Sequence, residues 1–207
     1  GPILNARSAI LMDADSGAIL YAKNIHQQEY PASTTKILTT LIASERCSMD
    51  EIVDFSYDAV HDIDPGSNHI AIDPGEQLTM EECLNAILIR SANEVSFAVA
   101  EHISGTTWQD FAPIMNERAK ELGCVDSNFV NPNGLPADQY STAIDMARCA
   151  YYVYRNPELR NIICKRQYAF TRANGKTLLL RNTNKLLEQH SWVTGMKTGY
   201  TLSLIHI

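Results

Sequence analysis

The chain has 207 residues, 45% of them hydrophobic and 20% charged, with a net charge of −7. That is enough apolar material for one large domain or two small ones, and it excludes wholesale disorder. The acidic balance argues against nucleic acid or an anionic membrane as a partner, and no apolar run reaches the roughly 18 residues needed to span a bilayer.

The elements, in chain order, begin with "RSAILMD" (7–13) and "AILYA" (18–22) around "ADSG", which predict a β-hairpin. Ile37, Leu38, Leu41 and Ile42 form the stripe of an amphipathic helix over 34–45. "IVDF" (52–55) and "HIAI" (69–72) read as short strands, interrupted by "DPGS" and "DPGE". Thr79 followed by Glu82 has the form of a capping box and opens a helix running to about Arg90. Further helices are expected at about 94–103, 108–122 and 141–154. A structured loop, "NFVNPNGLPADQYS" (128–141), separates the last two. Beyond residue 165, "QYAF", "TLLLRN" and "WVTGMKTGYT" read as strands, with "NTNKLL" among them. Strands, a helical block, then strands predict an α+β fold whose antiparallel sheet joins sequence-distant strands. The five cysteines (Cys47, Cys83, Cys124, Cys149, Cys164) cannot all pair and include no CxxC. They read as small buried residues rather than a disulfide framework or zinc site. The six histidines lack metal-ligand spacing, so neither metal nor cofactor is expected.

The segment "YPASTTKILTTLIA" (30–43) sets a lysine three residues after a serine. On a helix the two share a face, so Ser33 and Lys36 point the same way from its first turn. A serine hydroxyl is a weak nucleophile until a base takes its proton. Lysine serves as that base only if burial or a second cation lowers its pKa by several units. Read alone, the pair is also what a helix N-cap and a solvated lysine look like. Two further groups alter the balance. Ser91-Ala92-Asn93 follows a helix, and Lys197-Thr198-Gly199 lies late in the chain. Lys197 supplies the second cation, and Gly199 permits close approach of a substrate to the backbone. SxxK, SxN and KTG each occur once, in that order, in three separate elements. This ordered set marks β-lactamases and penicillin-binding proteins.

On these motifs, and on "ARSAILMDADSGAILYAKN", "DPGEQLTMEECLNAILIRSANEVSFAVAEHISGT", "NFVNPNGLP", "YSTAIDMA", "NTNKLL" and "GMKTGYT", the chain resembles the serine-type D-alanyl-D-alanine carboxypeptidases, the low-molecular-weight penicillin-binding proteins. The resemblance implies a β-lactamase/transpeptidase-like fold, with an antiparallel sheet flanked by helices and a helical subdomain. It also implies roles. Ser33 attacks the bond between the terminal D-alanines of a peptidoglycan stem peptide, Lys36 is the base, and Ser91, aided by Lys197, relays the proton to the leaving amine. Asn93 holds the substrate amide, Thr198 and Gly199 the terminal carboxylate region, and the backbone N–H groups of Ser33 and Tyr200 the oxyanion. β-Lactams acylate Ser33. The implied location is the extracytoplasmic cell envelope, with export signal and membrane anchor outside this chain.

Two alternatives share the motifs. A β-lactamase needs a water-activating glutamate in an ExxLN context; "EECLN", with Glu81 and Asn85, precedes Ser91 and reads as accidental. A non-catalytic penicillin-binding sensor would keep the fold without turnover. The chain also departs from the family after "KTGYT". The carboxypeptidase domain, 1–201, reads as C-terminally truncated and lacks the arginine expected beyond it. "LSLIHI" (202–207) reads as translated sequencing-adapter DNA. Such a chain is expected to leave a strand edge unpaired, and to be less stable and less active than a longer gene product.

Overall fold

Asp13 starts the first turn by accepting a hydrogen bond from the backbone N–H of Ser16 at 2.8 Å. The flanking strands, β1 (Ala9–Met12) and β2 (Ile19–Lys23), pair antiparallel as predicted. The computed structural model describes residues 3–135 and 138–200, so the expectation for 202–207 lies outside the described residues. A 3-10 turn, Ala32–Thr35, leads into α1 (Lys36–Arg46). Then come β3 (Ile52–Asp54), a short α2 (Tyr57–His61), β4 (Gln77–Thr79) and α3 (Met80–Asn85). The Thr79–Glu82 capping box forms reciprocally, as expected. α3 widens into a π-turn, Ala86–Arg90, before α4 (Asn93–Ser104). The remainder is α5 (Phe111–Glu121), α6 (Ala143–Arg155), α7 (Pro157–Ile163), the antiparallel pair β5 (Gln167–Thr171) and β6 (Thr177–Arg181), and a one-turn α8 (Leu186–Gln189).

Three expectations are corrected. First, "HIAI" is not a strand. Ala71 sits at φ +56°, and the N–H of Ile70 is taken by the Glu94 side chain at 2.6 Å, which leaves no ladder to join. The partner of β3 is instead β4. Second, pairing is antiparallel throughout, but the described strands form three separate two-stranded ladders rather than one sheet. Residues 193–200 carry no regular secondary structure and pair with none of the described strands. Third, α1 is not amphipathic. Every residue from Lys36 to Ala43 is buried, as suits a helix sheathed on all sides by α4, α5, α6 and α7. α4 is likewise buried from Asn93 to Ala100. The single hydrophobic core runs through this helix pair. Of the cysteines, Cys83, Cys124 and Cys149 are buried as expected, whereas Cys47 is half-buried and Cys164 exposed.

Candidate active site

The N-terminal ends of the two buried helices converge. Ser33 lies on the 3-10 turn before α1, and Lys36 is the first residue of α1. Residues three apart on a 3-10 turn eclipse one another. The Lys36 Nζ therefore stands 3.0 Å from Ser33 Oγ. It is also 2.7 Å from Asn93 Oδ1 and 2.7 Å from the Asn133 carbonyl oxygen. The last two oxygens can only accept. A neutral amine has two N–H bonds and one lone pair, so both N–H bonds go to these oxygens. As an ammonium, Lys36 donates to Ser33 Oγ as well; as a neutral amine it would turn its lone pair to Ser33 and accept from that hydroxyl.

Burial is the main force holding Lys36 well below the usual lysine range, and the charge of Lys197 adds to it; Glu94 acts in the opposite sense. Lys197 is itself buried, donates to the Thr198 carbonyl at 2.8 Å, and is pulled down to about 7 by loss of solvent. The two ammonium groups thus share one region of low polarity. Charging both is costly there, so burial and the Lys197 charge both favour the neutral form of Lys36.

Ser91 caps the π-turn in the left-handed region, φ +65°. Its Oγ is buried and has no hydrogen-bond partner among the described residues. Such a hydroxyl costs roughly 1–3 kcal/mol unless something else bonds it. Ala32, just before Ser33, is also left-handed at φ +49°. Asn93 heads α4, its backbone N–H donating to the Asn68 carbonyl at 2.9 Å. Thr198 Oγ1 lies 2.8 Å from Thr183 Oγ1. A Cβ on Gly199 would stand 2.9 Å from Thr34 Cγ2, so the bare glycine lets this segment lie against the serine turn. Tyr200 follows it, with its ring exposed. Ser33, Lys36 and Asn93 therefore meet directly, Gly199 lies against the serine turn, Lys197 is close enough to act on the Lys36 charge, and Ser91 lies two residues before Asn93.

Two contributors were missed from sequence. Asn133 enters through its backbone oxygen, which no residue-type argument singles out. Gly134, at φ +88°, is required because a Cβ there would fall 1.7 Å from the Ala32 carbonyl oxygen. The loop is fixed by Asn131 Oδ1, which accepts from Gly134 N at 2.8 Å, and by Thr39 Oγ1, which donates to the Pro132 carbonyl at 2.7 Å. The "NPNG" run was the available signal. Glu81 is exposed on α3, and Asn85 bonds Lys165 at 3.0 Å rather than the serine.

The sequence profile of the D-alanyl-D-alanine carboxypeptidases, peptidase family S11, matches residues 2–204. The chain belongs to this family. It is 37% identical over 199 residues to the D-alanyl-D-alanine carboxypeptidase DacF of Bacillus subtilis, covering 95% of this chain and 51% of that protein. The crystal structure of penicillin binding protein 5 from Haemophilus influenzae superposes with a TM-score of 0.87 at 32% identity, covering 97% of this chain and 59% of that one. The carboxypeptidase DacD of Francisella tularensis superposes at 0.88 with 27% identity, covering 98% and 61%. The chain thus spans about half the length of the curated relatives it matches. Membership in the carboxypeptidase family carries the α+β penicillin-binding fold with it. Among the described residues, no helix is long and apolar enough to cross a membrane.

Proposed function

We propose that this chain is the catalytic part of a serine-type D-alanyl-D-alanine carboxypeptidase acting on peptidoglycan stem peptides in the cell envelope. The single observation that carries the proposal is Lys36, fully buried, with its Nζ between Ser33 Oγ and two oxygens that accept only. In this reading Ser33 Oγ attacks the carbonyl carbon of the penultimate D-alanine as its proton passes to Lys36. The backbone N–H groups of Ser33 and Tyr200 bind the oxyanion, a donor type worth about 2.7–4 kcal/mol where one has been removed. Ser91, without another partner among the described residues, carries the proton on to the leaving amine with Lys197 behind it. The C–N bond breaks and D-alanine departs. Water, activated by the same Lys36, then cleaves the acyl-serine. Asn93 orients the substrate amide, and Thr198 with Gly199 receives the terminal carboxylate. A β-lactam acylates Ser33 by the same steps and leaves slowly.

The test measures free D-alanine released from a peptide ending in D-Ala-D-Ala, beside turnover of nitrocefin. The proposal expects D-alanine release and only stoichiometric reaction with nitrocefin. Multiple turnovers of nitrocefin without D-alanine release would mean a β-lactamase, and penicillin labelling with neither turnover would mean a sensor.

A further inference from the structure

The same two buried helices also converge at their opposite ends. Cys47 follows the last residue of α1, and His102 lies in the last turn of α4. Glu51, just before β3, stands between them. Among the described residues, Cys47, Glu51 and His102 form a set whose ligand-type atoms lie within 4.8 Å of one another. His102 Nε2 is 2.9 Å from Glu51 Oε2. The three side chains line a surface hollow of about 410 Å³, with Arg46 and Ile103.

We propose that Cys47 Sγ, the Glu51 carboxylate and His102 Nε2 form a binding site for a divalent transition metal, best suited to zinc. A thiolate, an imidazole and a carboxylate are the three donor types zinc takes. Its bond lengths of roughly 2.0–2.3 Å put tetrahedral ligands about 3.2–3.8 Å apart, within reach of the present spacing by small side-chain rotations. The hollow leaves the fourth position to water. The ligand loop is already held in place. Glu51 Oε1 accepts from Ser48 N at 2.7 Å, Glu51 O accepts from Met80 N at 2.8 Å, and Met49 O accepts from Glu81 N at 2.9 Å. Arg46 is a cation on the rim, but thiolate and carboxylate together balance the metal's two charges, leaving Arg46 no worse placed than before. On binding, the Cys47 S–H gives its proton to solvent as the metal–sulfur bond forms. His102 binds through the Nε2 lone pair, so any proton on that nitrogen passes to Nδ1 or to solvent. The ion joins α1, β3 and α4, the helix pair whose other ends carry Ser33, Lys36 and Asn93. This site is independent of the proposed reaction.

The test titrates the 207-residue chain with Co²⁺ alone, under reducing conditions that leave the metal free. The expected result is a thiolate-to-cobalt charge-transfer band that saturates at one equivalent and is displaced by zinc. Cys47→Ser abolishes the band, while Cys164→Ser, which removes the exposed thiol, keeps it. Glu51→Gln and His102→Gln weaken binding by at least the roughly tenfold that loss of a mere supporting partner costs. Zinc raises the melting temperature of the wild type and Cys164→Ser but not of Cys47→Ser, with circular dichroism confirming that each variant is folded. No band in the wild type, or a band that survives both Cys47→Ser and His102→Gln, overturns the proposal.

Discussion

Lys197→Met separates stability from catalysis. The Lys197 amine falls from its ordinary 10.5 to about 7 on folding, almost wholly through burial. The unfolded chain therefore binds this proton more tightly than the folded one between about pH 7 and pH 10.5. Folding stability gained from this group rises across that window. At and below about pH 7 the group instead costs folding roughly 4–5 kcal/mol. Methionine fills similar volume without a charge. Its hydrogen-bond loss, the 2.8 Å contact to the Thr198 carbonyl, costs about 1 kcal/mol. The variant should thus be more stable than wild type by about 3 kcal/mol at pH 6, and the gap should close as pH approaches 10. The same change removes the charge that helps keep Lys36 neutral, although burial, the larger cause, remains. Acylation by penicillin should accordingly fall even as the protein grows more stable. Urea denaturation from about pH 6 to pH 10 and the rate of labelling give the two readouts. A variant less stable than wild type at pH 6, or a stability gap that does not change with pH, would refute the reasoning.

Gly134→Ala forces a Cβ to within 1.7 Å of the Ala32 oxygen at a left-handed φ. The loop must retreat, losing its bonds to Lys36 and Thr39, for about 3 kcal/mol in sum; denaturant melting and penicillin labelling should both show the loss. Thr79→Ala removes the N-cap of α3 and should cost about 1 kcal/mol with labelling unaltered, because the cap lies a full helix away from Ser91. Asn93→Ala takes one of the two acceptors from the Lys36 amine and should slow labelling at least tenfold, with a smaller change in melting temperature.

How much of this was legible in the sequence depends on the range of the interactions. The hairpin and the capping box are written in neighbours three to fourteen residues apart, and both form as read. Ser33 and Lys36 are likewise local. What failed is non-local. "HIAI" has strand composition, but Glu94, 24 residues from Ile70, takes the N–H that a ladder would need. The stripe on α1 suggested one wet face, because no pattern within the helix reveals that four others surround it. Asn133 acts through a carbonyl, which every residue has, so its meeting with Lys36 across 97 positions left only the turn residues as a trace. Cys47, Glu51 and His102 lack motif spacing because their meeting depends on how α1 packs against α4.

The central claim is that an uncharged Lys36 takes the proton of Ser33. Mass spectrometry after brief exposure to saturating benzylpenicillin tests it directly, on wild type, Ser33→Ala and Lys36→Met. The account predicts one adduct in the wild type, mapped to the peptide bearing Ser33, and none in either folded variant. An adduct on another residue, no adduct in the wild type, or labelling of Lys36→Met at the wild-type rate would contradict it.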